Sequence, residues 1–396
     1  MEYKKIGEIN NYVGQNINPL NVSEEVFEMY SVPSFDNQYP EIIKGKDIGS
    51  SKQIVKKDDI LLCKINPRIN RVWIVSQFTN NRTIASSEWI VIRNKDMYAR
   101  YLMWYFRSDY FRTLMISNVT GMGGSLMRAQ PKQVQEYLVP VMSYDNQMKI
   151  AKTLDKAQEL IDKRKEQIKL LDELVKSKFI EMFGDPVNNP MGWEVKKLNH
   201  ISTKIVSGNT PKGGSQVYVD GGILFLRSQN VWKNRLELDD VAYIDQKTHD
   251  KMAKSSLKNR DILMTKTGRI NTENSSLGRA SMYLGEDDRA NINGHVYLIR
   301  LKEEIINEFV LFILTTDEYR EYIRRVCVGG IDKRQINKEH LEEFPIIFPP
   351  TELQIQFVDF IKQVDKLKFE MKKSLRELED NFNSLMQKAF KGELFN

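Results

Sequence analysis

Residues able to do chemistry are few and scattered along this chain. Its four histidines, His200, His249, His295 and His340, never fall at a spacing that would bring two imidazoles onto one metal ion. The two cysteines, Cys63 and Cys327, share no paired spacing, so neither a thiolate metal site nor a disulfide scaffold is expected, and a reducing cytoplasm fits. Phe348-Pro349-Pro350-Thr351 comes nearest to the polar-Pro-Pro-aromatic loop with which an adenine methyltransferase grips a flipped base. It lacks both the amide and the closing aromatic. It reads instead as the lead-in to a helix, because proline disfavours helix at the residue before it. No Gly-x-x-x-x-Gly-Lys-Ser/Thr loop is present to cradle a triphosphate. Asp185, Glu194 and Lys196 resemble a nuclease carboxylate–lysine set, but such triplets are common in a chain this charged. The expectation is therefore no catalytic residue, no metal and no cofactor.

What remains is cations and amides. Lysine plus arginine number 59 against 53 aspartates and glutamates, a net charge of +6, which is a mild bias toward a nucleic-acid partner. Lysine and arginine supply affinity through phosphates, and side chains reaching base edges supply sequence discrimination. Loop positions of the right type are Lys64, Asn66, Arg68 and Arg71 in one run, and Arg128 beyond Gly123-Gly124. Further along come Lys266 and Arg269, then Lys333 and Arg334 beyond Gly329-Gly330. Arg227, Gln229 and Asn230 add a guanidinium and two amides, the groups that match guanine and adenine edges. Tyr101, Trp104, Tyr105 and Phe106 could stack on bases, but their helical spacing marks them as core.

The elements that must position these residues occur twice. Asp59-Ile60-Leu61-Leu62-Cys63-Lys64 matches Asp261-Ile262-Leu263-Met264-Thr265-Lys266, and Gly123-Gly124 with Arg128 matches Gly329-Gly330 with Arg334. Gln147 matches Gln354, and Tyr3-Lys4-Lys5-Ile6 echoes Val195-Lys196-Lys197-Leu198. The order is kept and each counterpart lies about half a chain further on, as in a duplicated unit. Each half runs through apolar strand-like segments, such as Ile60 to Ile65 and Val296 to Leu301, into an aromatic helix, Tyr101 to Leu114 or Glu308 to Val326. With 41% hydrophobic and 28% charged residues in 396, the chain can bury the cores of two or three domains. The first residues carry no apolar stretch of the signal-peptide kind, and no run is long enough to cross a membrane.

Each half then closes on a long helix with an apolar seam. Ile150, Leu154, Ala157, Ile161, Ile168, Leu171 and Val175 recur at steps of four and three, as do Phe357, Ile361, Val364, Met371, Leu375, Leu378 and Phe382. Charged residues fill the positions between, and a seam of this period wants a partner helix. Thr351-Glu352-Leu353-Gln354 has capping-box spacing, and Gly184-Asp185-Pro186 marks a stop. A helix from Gln147 to Phe183 spans roughly 55 Å at about 1.5 Å per residue, which suits a spacer.

Three stretches carry a resemblance to a known family. They are Lys178-Phe179-Ile180-Glu181-Met182-Phe183-Gly184-Asp185-Pro186 with Asn188 and Gly192-Trp193, the run Gly208-Asn209-Thr210-Pro211 with Gly221-Gly222-Ile223, and Ala389-Phe390-Lys391-Gly392-Glu393-Leu394. In this order they resemble the specificity subunits of type I restriction–modification enzymes. The resemblance implies a mixed α/β chain with two target recognition domains, residues 1–145 and 186–350. Two long antiparallel helices, 146–185 and 351–396, would pair as a coiled coil and give a pseudo-two-fold repeat. It implies double-stranded DNA as ligand, with methylation and cleavage left to separate modification subunits, two of them, and restriction subunits. Thr210, within one of these stretches, joins the DNA-facing candidates. The first half has no clear Gly-Asn-Thr-Pro counterpart near 14–19, and has Leu126-Met127-Arg128 where the second has Asp332-Lys333-Arg334, so the halves should read different sequences. A rival reading is a self-contained restriction–methylation enzyme with a divergent centre, and the absent catalytic motifs oppose it.

Overall fold

A computed structural model describes residues 2–117, 119–120, 127–270, 272, 274–330 and 333–395; Gly123, Gly124, Leu126 and Asp332 lie outside the described residues. The fold is mixed α/β. The chain divides into two compact units, Met1–Gln167 with Met371–Asn396, and Ile168–Glu370.

In the first unit a five-stranded sheet runs in the order Asn16–Ile17, Lys52–Ile54, Arg82–Ala85, Val26–Tyr30, Glu41–Lys44. A three-stranded sheet places Ile60–Cys63 between Val72–Ile74 and Trp89–Ile92. Ile60–Cys63 is buried at every position, which a run of branched apolar side chains favours in a central strand. The second unit carries a four-stranded sheet in the order Ser202–Ser207, Val296–Leu301, Ile262–Thr265, Ala280–Met282. In another sheet, Ile223–Leu226 pairs parallel with Ala290–Ile292.

The two aromatic helices are each broken once, where the sequence suggested single helices. Ser108, with extended backbone, separates Ala99–Arg107 from Asp109–Ser117, and its Oγ accepts from the Phe111 N–H at 3.2 Å. Thr316 separates Asn307–Leu314 from Asp317–Val326 and caps the latter by accepting from the Tyr319 N–H at 3.2 Å. Hydroxyls that bond their own backbone favour such breaks. Tyr101, Trp104, Tyr105 and Phe106 are buried, with Phe390 against Tyr101 and Tyr105 and Phe382 against Trp104. They are core, not platforms for bases.

The same contacts recur in both units. Buried Asp59 receives the Arg93 guanidinium and the Lys56 N–H (2.8 Å); buried Asp261 receives Arg300 and the Lys258 N–H (2.7 Å). Lys5 pairs with Glu136 at 2.7 Å, and Lys197 pairs with Glu343. Tyr105 donates its hydroxyl to the Leu138 carbonyl at 2.6 Å, and Tyr319 donates to that of Pro345 at 3.0 Å. Gln147 and Gln354 are both buried, donating to the carbonyls of Met142 (2.9 Å) and Pro349 (2.8 Å). Gln354 is thus turned onto the preceding loop, not back onto Thr351 as capping-box spacing suggests.

The long helices span Tyr144–Phe183 and Thr351–Lys391. Every apolar seam position named above is buried or partly buried. In the second unit Phe179 packs on Phe357 at 5.3 Å between centroids, and Lys368 pairs with Asp172. In the first, Lys165 pairs with Glu379 at 2.9 Å. Gly184 ends the first helix at φ +73°, where a side chain would be strained, and its N–H still reaches the Ile180 carbonyl at 2.9 Å.

Candidate nucleic-acid interface

In the first unit the segment after Ile60–Cys63 is clasped from two sides. The Lys64 N–H donates to the Glu88 carbonyl at 3.0 Å, and the Lys64 carbonyl accepts from Ala129 at 2.8 Å. The Asn66 N–H donates to Met127 at 2.8 Å. Lys64, Asn66 and Arg128 therefore come together from distant parts of the sequence. The second unit repeats the clasp. Lys266 donates to His295 at 2.8 Å and accepts from Ile336 at 2.9 Å, while Thr267 and Gly268 pair with Gln335 and Arg334 in Lys333–Gln335. This gathers Lys266, Arg269, Lys333 and Arg334. The counterpart of Ala129 is thus Ile336, so Arg128 corresponds to Gln335 and not to Arg334. Arginine was matched to arginine, but backbone pairing fixes the register. The counterpart of Glu88 is His295.

A second convergence involves Gly208. Any Cβ there would lie 2.0 Å from the Ile292 carbonyl oxygen and 2.5 Å from that of Asn293, so only glycine permits this approach. The Gly208 N–H donates to Val296 at 3.0 Å, and the Asn293 N–H donates to Leu226 at 3.0 Å. Segments 208–211, 226–230 and 293–295 are so held beside Lys266, and Thr210 is exposed there.

The candidate side chains differ in availability. Arg68, Arg128, Arg269 and Lys333 are exposed. Lys64 and Arg128 face Glu88 at 3.9 and 3.3 Å. Lys266 lies 5.5 Å from the centre of the Tyr297 ring. Arg334 donates to the Cys327 carbonyl at 3.1 Å. Arg227 bonds the Asp240 carbonyl and faces its carboxylate at 3.3 Å, while Gln229 donates to that carboxylate at 2.7 Å. Asn230 is a correction: it is 1% exposed. Its amide donates to the carbonyls of Glu237 (2.9 Å) and Asp240 (3.1 Å) and accepts from the Arg227 N–H (2.9 Å), so it shapes the loop and has no group left for a base.

Several buried polar atoms here lack a hydrogen-bond partner among the described residues: Asn66 Oδ1, Arg71 Nε, Glu88 Oε2, Arg227 Nε and Arg334 Nε. Such atoms cost stability and are rare in folded proteins, and their gathering in these loops calls for an external partner. Asn66 also holds φ +44°, a backbone strain of the kind found at binding sites.

Sequence reading passed over Trp232, whose ring lies under Arg279 at 3.7 Å and Arg235 at 5.4 Å. Burial, helped by nearby Arg320 and Arg235, holds the Arg279 guanidinium below its ordinary range. The signal was the short hairpin Val231–Trp232 and Arg235–Leu236, turned at Asn234 (φ +58°). Among the described residues no cluster of His, Cys, Asp or Glu could hold a metal ion, and no helix is long and apolar enough to cross a membrane.

Comparison with known proteins agrees with this geometry. Residues 190–380 match the type I restriction modification DNA specificity domain. The type I restriction enzyme StySPI specificity subunit of Salmonella potsdam is 21% identical over 74% of this chain, which spans 65% of that relative's length. The MjaVIII specificity subunit of Methanocaldococcus jannaschii is 22% identical over 99% of this chain and 92% of its own. A chain solved in a study of assembly of the type I R-M system shares the fold at TM-score 0.66 and 18% identity, covering 99% of this chain and 98% of that one. The S subunit from M. genitalium shares it at TM-score 0.51 and 12% identity, over 98% and 96%. The chain belongs to the specificity subunits of type I restriction–modification systems.

Proposed function

We propose that this chain reads a bipartite DNA target and performs no catalysis itself. Residues 1–145 and 186–350 each read one half-site, and helices 146–185 and 351–396 set the gap between them. The observation that carries this reading is the duplicated clasp: one backbone arrangement gathers Lys64 and Arg128 in one unit and Lys266, Arg269 and Lys333 in the other. A repeated frame with unlike side chains suits two readers of unlike sequences. Of the sequence candidates, Lys64, Asn66, Arg68, Arg71, Arg128, Thr210, Arg227, Gln229, Lys266, Arg269, Lys333 and Arg334 keep this role.

Antiparallel pairing of the long helices is supported by contact order: Asp172 meets Lys368, while the later Phe179 meets the earlier Phe357. Two equivalent halves offer two equivalent surfaces for two modification subunits. Those subunits methylate adenine, restriction subunits cleave, and the assembly works in the cytoplasm without a cofactor bound to this chain. The test is methylation with S-adenosylmethionine and DNA, followed by mapping of methylated adenines. The chain alone should transfer nothing, and added modification subunit should methylate a split site. Transfer by the isolated chain, or methylation without a split motif, would overturn the reading.

A further inference from the structure

Glu88 stands out as an acid among cations. It lies just before Trp89–Ile92, and its own carbonyl takes the Lys64 N–H that anchors the loop. Its Oε1 accepts from Arg128 at 3.3 Å. Its Oε2 lies 3.9 Å from Lys64 Nζ, too far for a hydrogen bond, and is buried with no hydrogen-bond donor among the described residues. The frame does not require an acid here, since the second unit holds His295 at the corresponding place. A carboxylate near phosphates is repelled unless neighbouring cations offset its charge, and Arg128 and Lys64 do so. What the free oxygen lacks is a neutral donor.

We propose that Glu88 is a specificity-determining residue for the first half-site, accepting a hydrogen bond from the exocyclic amino group of cytosine. This rests on the DNA-reading function proposed above. An ionised carboxylate only accepts, so it rejects guanine and thymine, which present acceptors at the corresponding major-groove position. Arg128 and Lys64 hold it in place and give that position its charge balance.

The experiment is genome-wide mapping of methylated sites in cells carrying the modification subunit with the parent chain, Glu88→Gln or Glu88→Ala. Glutamine keeps the shape but can also donate. We expect discrimination at one position of the first half-site to fall about ten-fold or more in both variants, with the second half-site unchanged as the internal sign of a folded chain. Unchanged first half-site motifs in both variants, beside a normal split site for the parent, would overturn the role of Glu88 alone. An equal change for every DNA sequence would also overturn it, since that marks a purely electrostatic effect. Absence of a split motif from the parent itself would overturn the DNA-reading function and this role together.

Discussion

Arg93 grips the buried carboxylate of Asp59 with two hydrogen bonds, 2.7 Å from Nε and 2.6 Å from Nη2, and Arg300 holds Asp261 in the same way at 2.8 and 2.7 Å. Both aspartates are about 2% exposed. Removing one partner of such a pair strands a buried charge, which costs about 3–5 kcal/mol. Asp59→Ala and Asp261→Ala should each destabilise their own unit by about that amount. Their effects should add in the double variant, since the sites lie in different units. Denaturant unfolding followed by tryptophan fluorescence measures this; a cost below about 1 kcal/mol for both would show the pairs to be incidental.

Base readout can be separated from phosphate contact in the second unit. Arg269 is exposed, whereas Arg334 is tied to the Cys327 carbonyl. Arg269→Ala should weaken binding to the second half-site by about 1–3 kcal/mol if the side chain contacts a base. The first half-site should be unaffected. Competition binding with DNA altered in either half distinguishes the outcomes, and equal loss on all sequences would reassign Arg269 to a phosphate.

The proposed spacer makes a mechanical prediction. A four-residue insertion after the exposed Leu170, balanced by one in the partner helix after Leu367, lengthens each helix by about 6 Å and keeps the seams nearly in phase. The methylated motif should then show a gap one or two base pairs longer, with both half-sites unchanged, at about 3.4 Å per base pair. An unchanged gap with full activity would mean the helices do not measure distance.

A smaller effect should appear with pH. The hydrogen bond from Lys176, at 2.7 Å, and the nearby Lys233 hold the Asp317 carboxyl below its ordinary value of 3.8. A carboxyl depressed on folding stabilises fully above its unfolded value and loses that contribution as pH falls through the folded one. Asp317→Asn should therefore cost about 0.5 kcal/mol at neutral pH, kept small by solvent screening. The difference should vanish in strong acid. Equal destabilisation at both extremes, measured by denaturant titration, would point to packing.

The sequence made some of this legible and hid the rest for physical reasons. The helical seams could be read because burial imposes a period on Ile150, Leu154, Ile161 and their counterparts, and that period survives any tertiary detail. The strand Ile60–Cys63 was legible as an apolar run. Ser108 was not legible as a helix break, because serine is tolerated within helices and only its bond to Phe111 tips the balance. Asn230 has the right chemistry for a base, but its burial follows from how the loop folds back over it. Glu88 has no sequence signature at all, since its environment is made by Lys64 and Arg128 arriving from elsewhere.

The first unit is completed by residues that are translated after nearly all of the second. Phe382, Met386, Ala389 and Phe390 belong to its apolar core, alongside Tyr101, Trp104 and Tyr105. On the ribosome those aromatics must wait, uncovered, while some 200 intervening residues of the other unit are made. A nascent chain stalled before residue 380 would carry that sticky surface with nothing to cover it. Premature stop codons late in the gene should thus yield aggregated or degraded fragments, not a working half.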